Sequence, residues 1–214
     1  MKALLLDLDH TLYDYTVCND EGNDAMLSAA ARHLCRPRTE VEKAFHDARR
    51  AIKMRLGPVG ACHSRLLYAQ GLLERLTGRS QPALALLLHD VYWRRYGEMM
   101  RLFPNVRETL QAVRANTIRI GIITDQLVHV QLNKLVQLGI HDLIDFVVTS
   151  EEAGVEKPDV RIFRLALEKA GCTAADCVYV GDDPERDQVG AAAAGIRFVD
   201  VRDAWATGLR GYLP

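Results

Sequence analysis

The 214-residue chain lacks the cysteine patterns that staple small secreted domains or hold zinc. Its five cysteines, Cys18, Cys35, Cys62, Cys172 and Cys177, are odd in number and include no CxxC pair, which argues against a disulfide framework and against a zinc site. Long apolar runs are missing too. The opening "MKALLLDLD" stops at Asp7, too short for the apolar stretch of a signal peptide, and no later segment reaches the roughly 18 apolar residues of a membrane span. A reducing cytoplasm and no membrane are therefore expected. Net charge is nearly absent: at −1, nothing pulls the whole molecule toward nucleic acid or an anionic surface, so any anion binding must be local. There are no repeats and no low-complexity tracts.

What is present is alternation. From residue 101 onward, continuous apolar runs, "IRIGIIT" (118–124), "IDFVVTS" (144–150), "CVYVG" (177–181) and "RFVDV" (197–201), separate helical patterns. Strands buried on both faces read this way. The intervening segments close on "QLGI", "KAGC" and "AAGI", which put Gly139, Gly171 and Gly195 where a helix needs a left-handed residue after its last turn. Helix, glycine and strand in series imply right-handed crossovers and a parallel sheet that residues 2–7 should join. Residues 15–98 carry no strand-like run. Val41, Phe45, Ala48 and Ile52 recur at helical spacing, as do Leu84, Leu88 and Val91, while "RLGPVG" and "GRSQP" supply the turns. The expected architecture is α/β: a doubly wound, mainly parallel, Rossmann-like core (1–14 and 99–214) with an all-helical cap domain inserted at 15–98.

The first strand ends on an awkward pair, Asp7 and Asp9. Two carboxylates about 4 Å apart at an effective dielectric near 20 repel by roughly 4 kcal/mol. Open parallel sheets bind ligands beyond the carboxyl ends of their strands, and the other strand ends bring Thr124 and Asp125 in "IITDQ", Lys157 in "EKPD", and Asp182, Asp183 and Asp187 in "GDDPERD". Many carboxylates with one hydroxyl and one amine call for a hard divalent cation, with magnesium as the candidate because it takes one or two carboxylates together with water and phosphate oxygens. A small phosphorylated metabolite would complete the coordination.

Through "DLDHTL", "IITD", "EKPD" and "VGDDPERD", in that order and each at an expected strand end, with "FPNVRETL" leading into the second, the chain resembles the haloacid dehalogenase superfamily. The helical insertion is similar to the cap of the branch that places it after the first strand. The resemblance implies that Asp7 is a nucleophile forming an aspartyl-phosphate, that Asp9 protonates the leaving alcohol and then deprotonates water, that Thr124 bonds a phosphoryl oxygen, and that Lys157 balances charge. The metal would be held by Asp7, the Asp9 backbone carbonyl and Asp182, with Asp187 ordering water around it and Asp183 able to share that work. Asp125 stands where many members carry asparagine; ionised, it cannot donate to a phosphate, although its backbone amide can.

These readings imply a magnesium-dependent phosphatase. Phosphomutase chemistry would use the same pair of aspartates. A phospho-receiver module would not explain Asp9 and the insertion as well, dehalogenation has no use for an acid at Asp9, and a catalytically silent binding protein on this fold is a third alternative, since fold does not fix function. His10 is a bystander in this scheme. Arg49, Arg50, Lys53 and Arg55 form a basic run expected to be solvated, and His63 and Arg65 offer a second set of cap cations between which the sequence does not choose.

Overall fold

In a computed structural model that describes residues 1–212, the chain forms two compact units: Met1–Asp14 with the chain from Arg101 onward, and Tyr15–Met100. The first unit begins with β1 (Ala3–Leu6). The second contains α1 (Tyr15–Leu34), α2 (Arg38–Leu56), a 3-10 turn (Gly60–His63), α3 (Arg65–Thr77) and α4 (Pro82–Met99). The first unit then continues through α5 (Val106–Ala115), β2 (Arg119–Thr124), α6 (Val128–Gln137), β3 (Phe146–Thr149), α7 (Ser150–Ala153), α8 (Val160–Ala170), β4 (Cys177–Gly181), a π-helical turn (Pro184–Gln188), α9 (Val189–Ala193), β5 (Arg197–Asp200) and α10 (Val201–Thr207).

All strand pairs are parallel, in the order β3-β2-β1-β4-β5. The central strand pairs on both sides, Leu4 with Ile120 and with Val178. That position explains its unbroken apolar run: Leu4, Leu5 and Leu6 are all fully buried, each contributing about 1.5–3 kcal/mol. Ala3 and Leu5 join Ile123, Phe163, Ala166 and Tyr179 in one core, against which α8 packs. Leu4 and Leu6 alternate to the opposite face. Gly139, Gly171 and Gly195 have φ of 65°, 63° and 73°, the left-handed values the sequence calls for.

In the helical unit, α1 packs on α4 and α2 on α3. Val41, Phe45, Ala48 and Ile52 are buried as their spacing predicts. α4 differs from expectation. Its buried residues are Ala85, Leu88, Tyr92 and Tyr96, while Leu84 and Val91 are only partly covered. The leucine-rich "LALLL" is apolar all round, so its spacing does not select a face; the tyrosine rings do, because they carry more area to bury. Among the described residues, no helix is long and apolar enough to cross a membrane.

Two side chains finish the edge of the sheet. The Val147 carbonyl of β3 accepts a hydrogen bond from Lys169 Nζ (2.9 Å). Ahead of that strand, Asp145 accepts from the Ile120 amide (2.7 Å) and from Arg114 Nη1 (2.6 Å). Burial works against the Asp145 carboxylate, but the Ile120 amide and Arg114 outweigh it and hold its pKa below the usual value. A depressed carboxylate stabilises the fold above its unfolded pKa and loses that contribution as pH falls through the folded value. Asp145→Asn is therefore expected to cost about 1 kcal/mol in urea unfolding at pH 7, the charge-assisted bonds being discounted for solvent. The gap between variant and wild type should narrow as pH falls below the ordinary carboxylate range; a constant gap would assign the effect to packing.

Candidate active site

β1 delivers Asp7 directly. Its amide donates to the Val180 carbonyl (2.9 Å), extending the ladder by one residue, and the side chain is buried. The chain then turns sharply: the Leu12 amide bonds the Leu8 carbonyl at 3.0 Å, and His10 adopts φ 65°. The turn aims Thr11 back at the strand ends, where its hydroxyl lies 3.2 Å from Asp7 Oδ2 and 3.5 Å from Asp182 Oδ1. Thr11 thus spans the carboxylates following β1 and β4.

Lys157 is the hub. Its buried ammonium lies 2.6 Å from Asp7 Oδ1, 2.7 Å from Asp187 Oδ1 and 3.3 Å from the Tyr179 hydroxyl. Burial works against this charge, but Asp7, Tyr179 and Asp187 together raise the lysine pKa well above its usual value, so the ammonium persists. Asp187 is fully buried. Its Oδ1 also accepts from Tyr179 (2.8 Å), and its Oδ2 accepts from the Asp182 and Asp183 amides (3.1 Å each). Four donors on two oxygens make Asp187 a clamp on the loop after β4. That loop needs glycine at 181, because a Cβ there would stand 2.3 Å from Asp187 Oδ2. Asp183 is occupied differently, accepting from the Glu185 and Arg186 amides to cap the π-helical turn.

Asp9 points to other partners. Lys134 Nζ lies 2.7 and 2.8 Å from its two oxygens, and the Tyr13 hydroxyl donates to Oδ1. Burial raises the Asp9 pKa, but Lys134, Tyr13 and Gln131 overcome it and hold Asp9 ionised below the usual carboxylate range. Asp7 shifts the other way: burial is the largest effect, Lys157 opposes it, Asp187 adds to it, and the carboxyl is pushed well up. Asp182 is raised by burial and by Asp187.

Thr124, buried at the end of β2, accepts from Gln131 Nε2 at 2.5 Å. Asp125 turns toward the neighbouring loop, where its carboxylate accepts from the Lys157 amide (2.9 Å) and pairs with Arg186 (3.2 Å). Both Asp125 oxygens are therefore engaged by protein, and its side chain works as a brace for the Lys157 loop. The sequence reading missed Lys134, Gln131, Thr11 and Tyr179. A signal for two of them existed: Gln131 and Lys134 interrupt the buried face of α6 between Val130 and Leu135, and polar residues on a buried face need partners.

Ligand atoms of Asp7, Asp182 and Asp187 lie within 4.8 Å of one another. Against these three carboxylates stands the ammonium of Lys157; with all three ionised, two negative charges would remain for a further cation to offset. Burial has already pushed the Asp7 and Asp182 carboxyls toward neutrality. A divalent cation fits that deficit in charge and in oxygen chemistry.

The chain has known counterparts. Residues 4–201 match the haloacid dehalogenase-like hydrolase family, and the chain belongs to it. It is 41% identical over 198 residues to a ribulose-1,5-bisphosphate 5-phosphatase of Halopiger xanaduensis, covering 92% of this chain and 83% of that protein. It is 32% identical over 205 residues to a glyceraldehyde 3-phosphate phosphatase of Methanothermobacter thermautotrophicus, covering 94% and 85%. Among solved structures, a 2-haloacid dehalogenase from Pseudomonas syringae superposes with a TM-score of 0.72 at 25% identity, over 92% of this chain and 85% of that one.

Gly181→Ala should displace Asp187 and with it Lys157. Overpacking of this kind costs about 1–3 kcal/mol, and a misplacement near 1 Å in a reacting group lowers turnover on the order of 10²-fold. Circular dichroism should report a folded protein with strongly reduced activity on an aryl phosphate. Wild-type turnover would show that the clamp is dispensable.

Proposed function

We propose that the protein is a magnesium-dependent phosphomonoesterase that cleaves a small phosphorylated metabolite through an aspartyl-phosphate on Asp7. The observation that carries this reading is the placement of Asp7: at the end of the central strand, with Lys157 at 2.6 Å on one oxygen and the Thr11 hydroxyl at 3.2 Å on the other. The two phosphatases named above, similar over nearly the whole chain, support the choice of phosphate over halide. So does Asp9, for which dehalogenation has no use.

In the first half-reaction an Asp7 oxygen bonds to phosphorus as the bond to the leaving oxygen breaks, and Asp9 gives that oxygen a proton. In the second, water attacks the same phosphorus, Asp9 takes its proton, and the Asp7 carboxylate leaves. Lys134 favours the ionised, base form of Asp9 that the second half needs; the first half requires the carboxyl protonated and turned from Lys134 toward the leaving group. Lys157 offsets charge on Asp7 and the phosphoryl oxygens. The Thr124 hydroxyl and the Asp125 backbone amide are the donors we assign to those oxygens. Asp7, Asp182 and the Asp9 carbonyl would hold magnesium, which supplies charge stabilisation at the phosphoryl group, with Asp187 fixing the loop that carries Asp182. We assign substrate selection to the helical unit, acting as a cap, and the whole enzyme to a reducing cytoplasm that suits its free thiols.

Asp7→Asn is expected to abolish turnover. Asp9→Ala should lose roughly 10²- to 10⁴-fold on alkyl phosphates but less on an aryl phosphate, whose leaving group needs no proton. Rapid acid quench of Asp9→Ala with that aryl substrate should trap phosphate on Asp7. Wild-type rates on alkyl phosphates would remove Asp9 from the mechanism. Exhaustive chelation should silence the enzyme and magnesium should restore it, with Asp182→Ala needing far more; activity unaffected by chelation would rule out the metal. Ribulose 1,5-bisphosphate and glyceraldehyde 3-phosphate head the substrate panel.

A further inference from the structure

The sequence leaves six cationic or titratable cap residues without an assignment, and their burial separates them. Arg49, Arg50 and Arg55 are exposed, and Lys53 and His63 are partly covered, whereas Arg65 is only 6% exposed. Every acceptor the guanidinium uses is neutral: the His63 carbonyl (2.8 Å), the Tyr15 hydroxyl (2.7 Å) and Asn19 Oδ1 (3.0 Å). The Tyr92 hydroxyl bonds the same Asn19 oxygen at 3.0 Å. The Tyr92 and Tyr68 rings lie 5.2 and 5.7 Å from the guanidinium carbon. Among the described residues, no carboxylate pairs with it.

That arrangement is costly and out of keeping with the rest of the molecule. The other buried cations are paired, Lys134 with Asp9 and Lys157 with Asp7 and Asp187. Burying an ion is costly, and hydrophobic residues of similar volume often serve stability better. Arg65 also occupies the first position of α3, directly after the N-cap Ser64, where the helix dipole disfavours a cation. Neutral hydrogen bonds and two aromatic faces offset part of this cost but leave a full positive charge. The same helix end and the same charge favour an anion.

We infer that Arg65, with Tyr15, Asn19 and Tyr92, forms a binding site for an oxyanion, a phosphate or carboxylate group, which supplies the counter-charge the helical unit lacks. Two sources share this chemistry. One is a second acidic group on the substrate, so that the enzyme prefers molecules carrying another phosphate or a carboxylate besides the phosphate it removes; this source rests on the phosphatase reading above. The other is a free inorganic anion acting as an effector.

The test uses the full-length, magnesium-loaded protein with Arg65→Met, Arg65→Lys and Asn19→Asp. Asn19→Asp places a carboxylate where an oxygen already sits 3.0 Å from Arg65, so it should fold, raise the melting temperature and occupy the site from within. For a substrate-borne anion, Arg65→Met and Asn19→Asp should raise KM for a sugar bisphosphate by roughly tenfold to a hundredfold, the range for one lost charge-assisted bond. 4-Nitrophenyl phosphate should change by less than about threefold, and Arg65→Lys should recover part of the loss. For a free effector, both substrates should respond alike, while sulfate should raise the melting temperature of wild type more than that of either variant. The site is disproved if Asn19→Asp keeps the wild-type preference for bisphosphate and the wild-type response to sulfate. Absence of any phosphatase activity would overturn the functional reading alone, because the sulfate titration still tests the site.

Discussion

Lys157 holds two aspartates from different parts of the chain, Asp7 after β1 and Asp187 within the π-helical turn, on one buried ammonium. Removing one partner from such a group costs about 3–5 kcal/mol, because the remainder is left charged and unsolvated. The other contacts of the site follow from it. Asp187, fixed by Lys157 and Tyr179, fixes the Asp182 and Asp183 amides; Asp125, bonded to the Lys157 amide, fixes the loop that supplies the lysine. Each residue is oriented by another whose own freedom is already lost, so the site is organised before substrate arrives.

The pKa values of the two aspartates that follow the opening strand move in opposite directions, and different lysines pair with them. Asp7 shares Lys157 with Asp187 and is pushed toward neutrality by burial, whereas Asp9 has Lys134 on both of its oxygens and stays ionised. Two like charges two residues apart would repel if they drew on the same solvent. Separate counter-ions from α6 and from the loop before α8 keep them apart. The remaining deficit falls on the side of Asp7 and Asp182, where a divalent ion fits.

The strands were legible because burial on both faces demands unbroken apolar runs, and the crossovers because their helices end on glycines at positive φ. The acidic site residues were legible because they sit at strand ends, where the chain order alone brings them together. Lys134 and Gln131 were hidden within an amphipathic helix, since a lysine in "QLNKL" reads as a surface residue until its partner across the sheet is known. Tyr179 reads as one more apolar residue of a strand. Arg65 is one cation among several, and only burial distinguishes it. In α4 the leucines outnumber the tyrosines, so counting apolar positions picked a face of which packing buries only Leu88 fully.

Lys169 takes the Val147 carbonyl on the outer strand of the sheet. A strand at the margin of a sheet is an open template, and a chain emerging from the ribosome or partly unfolded by heat can add to it in register with a second molecule. With that acceptor already satisfied and a charged amine lying over the edge, a foreign strand would have to displace a hydrogen bond and desolvate an ammonium before gaining any ladder of its own. The lysine thereby raises the cost of edge-to-edge addition, an effect that owes nothing to the catalytic chemistry.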